Sequence, residues 1–246
     1  MATAELRGLT VHIDTGRWNE TVLNGMDLVV PEGKITALLG ESGCGKSMVA
    51  AALTGLLPES ARCAGQILIN GDPVDGRPQW RRLRGRTVGF VPQEGVTAFN
   101  PSETVGAQLR ELERRHRQWS LDRACTAARY PAELLDLLPD QHSGGQIQRA
   151  ALAAALLPSP AVLIADEPAG SLDIETAYAV WTTLRRYADA GAAILVITHD
   201  VAMLTATKVA ERMVLMRDGT VTAMGGTAEL VGLADPYVRG FFQQNL

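Results

Sequence analysis

The sequence predicts an α/β fold: a mostly parallel sheet covered by helices on both faces, with a helical stretch set into it. Three observations carry this. Apolar runs of strand character alternate with helical runs along much of the chain, and crossovers of that kind join parallel strands. Gly40-Glu41-Ser42-Gly43-Cys44-Gly45-Lys46-Ser47 reads G-x-x-x-x-G-K-[ST] and stands between an apolar strand run and a buried helix run, the context in which that pattern has a physical meaning. Across residues 97–157 the apolar residues fall instead at helical spacing.

Residues 9–13 and 26–30 read as strands, the second closed by Pro31-Glu32-Gly33; between them lies a polar bend over 14–19 that includes Trp18. Residues 34–39 form the apolar strand before the glycine loop. Residues 48–54 form the helix after it, closed by Gly55. A strand over 66–72 runs into the Asn70-Gly71 turn, and 87–93 is a buried strand ending at Gln93. The five arginines within 77–86 read as a solvated loop. Helices are expected over 105–112 and 124–138, and another over 147–157, opened by Ser143-Gly144-Gly145-Gln146. An apolar strand over 161–166 ends in Asp166-Glu167, a helix follows over 174–188, and a strand over 193–198 ends at His199. A hairpin turns on Asp218-Gly219.

The 246 residues suffice for one large α/β domain or two small lobes, and 46% hydrophobic with 20% charged residues is ordinary for a globular chain. A formal net charge of −4 gives no sign of a nucleic-acid surface. The longest apolar run, 150–157, stops at Pro158, far short of a bilayer span, and residues 1–5 lack the basic and apolar parts of a signal peptide. Cys44, Cys63 and Cys125 have no metal-type spacing and read as free thiols of a reducing cytosol.

The polar residues gather at the predicted C-terminal strand ends, the edge of an open parallel sheet where ligands bind. The loop 40–47 makes a nest of amides at a helix N-terminus, which favours phosphate. Lys46 would reach the β- and γ-phosphates of ATP, and the Ser47 hydroxyl would ligate Mg²⁺. Asp166 would hold Mg²⁺ through water, and Glu167 is placed to polarise an attacking water. His199 can contact the γ-phosphate, and Gln93 can touch both metal and water.

Taken together, these motifs resemble the nucleotide-binding subunit of an ABC transporter over nearly the whole chain. They are a Walker A loop at 40–47, a Q-loop at Gln93 and a signature at His142-Ser143-Gly144-Gly145-Gln146. A Walker B strand ends in Asp166-Glu167, followed by a D-loop at Ser171-Leu172-Asp173 and an H-loop at His199. The resemblance implies a P-loop NTPase fold with a mostly parallel core sheet, an antiparallel β subdomain and a helical insert. The core lobe would be 1–96 and 158–246, the helical subdomain about 97–157. It implies that Ser143, Gly144, Gly145 and Gln146 bind the γ-phosphate of ATP held by the opposite subunit. Further, Ala98-Phe99-Asn100-Pro101-Ser102-Glu103-Thr104-Val105-Gly106-Ala107-Gln108-Leu109 resembles the S-L-N-P-x-x-T-V-G-x-Q-[IL] run of nickel- and peptide-type importer ATPases; Gly55-Leu56-Leu57-Pro58 and Asp235-Pro236-Tyr237 fit the same group.

The implied partners are a second ATPase subunit (the same or a different polypeptide), transmembrane permease subunits and a solute-binding protein, with no nucleic acid. The implied place is the cytoplasmic face of the membrane, held peripherally. The solute stays open among nickel, metallophores and peptides, and a soluble ABC ATPase acting on DNA or ribosomes, or an exporter subunit, stands as the alternative. Phe99, beside a proline in a polar loop, is expected to be an exposed anchor for a helix of the membrane subunit, the alternative being that it packs inside the helical insert. The chain departs from the family at several positions. His142 replaces a leucine, Ala154 an arginine, and Ala169-Gly170 the commoner Thr-Ser. Ile13 stands where an adenine-stacking aromatic is expected, which leaves Ile13 or Trp18 for that task. The cysteine-bearing extension of some peptide importers does not follow Tyr237.

Overall fold

A computed structural model describes residues 3–17 and 19–245. The chain begins with two long strands, β1 (Ala4–Asp14) and β2 (Asn19–Val30), which pair antiparallel. Both run past the sequence expectation: β1 starts early because Ala4 and Leu6 are buried, whereas the exposed start of β2 is held by the ladder, in which Asp14 still pairs with Asn19. Then come β3 (Ile35–Gly40), α1 (Lys46–Thr54), β4 (Ala61–Ile69) and the two-residue β5 (Asp72–Pro73). Asn70 and Gly71 have φ of 56° and 84°, the positive pair that a tight hairpin turn demands. Strands β2-β1-β4-β5 form a four-stranded antiparallel sheet.

The arginine-rich stretch is not a loop. Residues Arg77–Leu83 form a short helix, α2, with a proline in its first turn. Trp80 reaches inward to 6% exposure while Arg81 and Arg82 stay outside. One buried indole per turn is enough to fasten a short helix that its charges alone would leave in water.

β6 (Val88–Val91) leads into α3 (Val105–His116), α4 (Leu121–Ala128) and α5 (Gly144–Leu156). The helix expected over 124–138 stops at Ala128. Arg129 turns left-handed at φ 54°, and Tyr130 precedes Pro131, where helical backbone is disfavoured. A 3₁₀ turn, Ala132–Leu134, lies within the rest of that span, and a second, Pro139–Gln141, follows it. Next come β7 (Val162–Asp166), α6 (Ile174–Asp189), β8 (Ala193–Ile197), α7 (Val201–Thr207), β9 (Arg212–Arg217), β10 (Thr220–Gly225), α8 (Thr227–Val231) and α9 (Pro236–Asn245).

The second sheet runs β10-β9-β3-β8-β7-β6, with β9, β3, β8, β7 and β6 parallel and only the edge strand β10 antiparallel. Strands β3, β7 and β8 are buried throughout, as a sheet covered on both faces requires. One buried cluster joins α3, α4, α5 and α6 to one face of this sheet, and a second joins α1 and the antiparallel sheet to the other. Because the five strands are parallel, the C-terminal ends of β3, β6, β7 and β8 open on one edge.

Candidate functional site

That edge holds a cleft of about 400 Å³. Gly40, Ser42, Gly43, Gly45, Lys46 and Ser47 line it from the loop after β3, Gln93 from the end of β6, Asp166 and Glu167 from β7, and His199 from beyond β8. The sequence-derived candidates of the Walker loop, Gln93, the two acids and the histidine therefore meet in one place. Glu41 and Cys44 belong to the loop but not to the cleft wall.

The loop is shaped by close approach. Gly40 has φ 150°, and a Cβ there would lie 2.5 Å from the Met216 carbonyl oxygen of β9. Among the described residues, the amides of Gly43, Gly45, Lys46 and Ser47 have no acceptor within the chain, so the first turn of α1 presents free N–H groups to the cleft. Lys46 folds back over them: its Nζ donates to the Gly40 and Glu41 carbonyls, both at 2.8 Å. Cys44 is buried, and burial pushes its thiol up against the pull of nearby Lys46. It is thus a protonated packing group rather than a nucleophile.

Asp166 is 6% exposed. Burial, and next the neighbouring Glu167 carboxylate, push its carboxyl above the ordinary range; Lys46 and a hydrogen bond from the Ser47 hydroxyl oppose the rise. A buried acid, a hydroxyl bonded to it and the Gln93 amide form a set of oxygen donors with room beside them. This suits a hard divalent cation that keeps waters and takes only one or two protein carboxylates. Glu167 has left-handed backbone at φ 47°. Its carboxylate accepts three donors: the His199 amide at 3.1 Å, His199 Nδ1 at 2.7 Å and the Thr198 hydroxyl at 3.2 Å. Thr198 escaped the sequence reading, although it directly precedes His199 at a strand end. Val22 also lines the cleft, and nothing in the sequence marks it.

Ser143, Gly144, Gly145 and Gln146 do not reach this cleft. They open α5 as a reciprocal cap: Ser143 Oγ accepts the Gln146 amide at 3.3 Å, and Gln146 Oε1 accepts the Ser143 amide at 2.9 Å. The helix consequently starts at Gly144, three residues before the expected start. A Cβ on Gly145 would lie 3.0 Å from Leu172, so the turn packs against the loop ahead of α6. His142, just before it, is pinned twice, by the Leu138 carbonyl at 2.8 Å and the Tyr130 hydroxyl at 2.7 Å.

Behind Gln93 the chain is held tightly. Gln148 of α5, 2% exposed, donates its side-chain amide to the Pro92 carbonyl at 2.9 Å. A Cβ on Gly95 would lie 2.7 Å from the Ile147 carbonyl oxygen. Gln148 was not a sequence candidate; its signal is a lone amide on the apolar face of a helix.

Two expectations fail. Phe99 is 9% exposed and belongs to the buried cluster of the helices, so it offers no exposed ring. The aromatic side chain follows the apolar interior beneath the turn Gly95–Ala98 instead of the polar loop around it. Ile13, 3% exposed, packs inside the other core and cannot lie flat on a base. Trp18 lies outside the described residues. Near the turn, a groove of about 430 Å³ is walled by Leu56, Phe90, Pro92, Ala98 and Leu112.

Residues 23–170 match the ABC transporter family. The chain is 34% identical over 241 residues to the oligopeptide transport ATP-binding protein OppD of Mycobacterium tuberculosis, an alignment that covers 92% of the chain and 39% of that protein. It is 32% identical to a putative peptide import ATP-binding protein of Brucella melitensis, with 97% and 76% covered. To the metal-staphylopine import system ATP-binding protein CntD of Staphylococcus aureus it is 30% identical, with 92% and 86% covered. The chain thus spans well under half the length of the OppD relative. Among solved structures, a dimeric bacterial ABC transporter cassette superposes with a TM-score of 0.81 at 23% identity, covering 91% of the chain and 98% of that structure. An ATP-binding subunit of an ABC transporter superposes with a TM-score of 0.79 at 26% identity, with 98% of each covered.

Proposed function

Because the chain belongs to the ABC transporter family, we propose that it is the ATP-binding and ATP-hydrolysing subunit of a membrane importer, with a peptide, nickel or a metallophore as solute. The observation that carries the ATPase reading is the convergence of Lys46, Ser47, Asp166, Glu167 and His199 on one cleft from three neighbouring parallel strands. The importer reading rests on the relatives, which are named for peptide and metal import.

The free amides of the loop and the Lys46 ammonium hold the phosphates of ATP. Lys46 trades its two carbonyl acceptors for phosphate oxygens as it does so. Ser47, Asp166 and Gln93 would hold Mg²⁺, which when bound neutralises phosphate charge. Glu167 takes the proton of the attacking water. His199 keeps that carboxylate aimed through Nδ1, which leaves Nε2 without a partner among the described residues.

The Ser143 turn acts on ATP held by a second cassette, so two chains make two complete sites. Residues 97–157 serve as the part that moves against the core. A short helix of a permease subunit seats in the groove beside Leu56 and Ala98. The chain then works peripherally, at the cytoplasmic face of the membrane.

The test is co-purification. Tagged chain, recovered from a detergent extract of the cells that make it, should come with transmembrane subunits and hydrolyse ATP there. Recovery only with ribosomes or nucleic acid would overturn the reading.

A further inference from the structure

The chain as a whole is negative, with a formal charge of −4. Yet four guanidinium groups, of Arg123, Arg129, Arg149 and Arg186, line a single open groove of about 1010 Å³ between α4, α5 and α6. Among the described residues none of the four makes an ion pair. Arg123 lies over the Trp119 ring at 3.9 Å, and Arg149 donates through Nε to the Gly145 carbonyl at 3.2 Å. Two acids, Asp122 and Glu175, share the wall and pair with none of them, which leaves a surplus of positive charge. The residue just before Arg186 on α6 shows the contrast. Arg185 is bound by Asp189, Glu211 and the carbonyls of Val209 and Gly33. The same helix therefore neutralises one arginine inside the fold and presents its neighbour to the groove.

We propose that this groove docks an acidic segment of a partner protein, an extended stretch bearing several carboxylates. The guanidinium fork matches a carboxylate bidentately, and clusters of arginines are a recurrent means of reading acidic motifs. Tyr178, 58% exposed on the groove wall, adds the flat amphipathic surface that anchors interfaces. The groove exceeds what a single small anion fills, while its open length suits several residues. A second copy of this chain is a poorer occupant: it has no run of three acids, and its one directly adjacent pair, Asp166-Glu167, lines the nucleotide cleft. Arg149 also joins the groove to the turn that opens α5. A carboxylate drawn to Arg149 competes with the Gly145 carbonyl for the same guanidinium. The docking surface stands without the ATPase reading.

The experiment uses the full chain and a fluorescently labelled octaglutamate peptide, read by anisotropy. Saturable one-to-one binding is expected, and Arg129→Glu with Arg186→Glu should weaken it about tenfold or more. ATP affinity should be unchanged, which also shows that the variant is folded; if charge reversal impairs folding, Arg129→Gln with Arg186→Gln replaces it. Absence of saturable binding, or equal binding by the folded variant, overturns the proposal. So does displacement of the peptide by inorganic phosphate at an equal concentration of charge, which would make this a simple anion site. Self-association of the parent chain that the variant loses would likewise overturn it in favour of a second copy.

Discussion

Glu167 and His199 meet at 2.7 Å across the ends of two adjacent strands, with the carboxylate 13% exposed and the imidazole 74% exposed. The buried partner is the one next to Asp166, and the exposed partner is held to it through both its amide and Nδ1. Glu167→Gln keeps the shape of the side chain but cannot take a proton. Turnover in the assembled transporter should fall about 100-fold or more, while ATP still binds. Near-parental hydrolysis would remove Glu167 from the role of base.

Lys46 bridges two carbonyls of its own loop, so its loss acts on the loop and on the phosphates together. Lys46→Ala should weaken ATP binding by about tenfold or more and abolish hydrolysis. Titration calorimetry with ATP decides this, and unchanged affinity would count against the assignment.

The Ser143 turn stands apart from the cleft of its own chain. ATPase activity per molecule of isolated chain should therefore be low and should rise with protein concentration. A monomer by light scattering whose specific activity is constant over a wide dilution range would contradict the shared site.

Phe99→Ala should cost about 3–4 kcal/mol, the usual loss for a buried ring. Urea unfolding of the isolated chain measures it. An unshifted midpoint together with lost membrane association would restore the anchor role that burial argues against.

Glu211 ties the start of β9 to the Ile35 amide at 2.9 Å and to Arg185 at 2.8 Å. Burial alone would raise its carboxyl, but those two partners hold it below the ordinary range. A depressed carboxylate stabilises the fold above its unfolded pKa and loses that contribution as pH falls through the folded one. With 36% of its side chain exposed, screening limits the effect to about 1 kcal/mol. Glu211→Gln should melt below the parent at neutral pH, and the gap should close as the pH drops below the carboxylate range. A constant gap across that range would contradict the assignment.

Much of the site was legible because its signals are local. The glycine loop, the strand-ending acids and His199 each sit beside an apolar strand that can be read from the sequence, and parallel strands bring such ends together. The Asn70-Gly71 and Asp218-Gly219 turns are similarly local. The failures are tertiary. Trp80 made a helix of an arginine-rich stretch by burying one ring, and Phe99 was drawn beneath a polar loop. Helix α7 carried a readable sign, Asp200 capping the Met203 amide at 2.8 Å, but its seven residues, mostly apolar, are too few to show a period. The stop at Arg129 was written in Tyr130-Pro131, where periodicity outweighed the proline. The strand order, with β9 and β10 returning beside β3, depends on pairings between distant residues that no window of sequence contains.

Gly95 has no clearance from α5, and Gln148 of that helix grips the carbonyl just ahead of Gln93. Displacing the turn after β6 therefore displaces the helix that Ser143 opens, and the reverse. Two sensors that look separate along the chain share one degree of freedom. A shift at Gln93 and a shift at the Ser143 turn are then simultaneous rather than successive, because the packing between them leaves no slack.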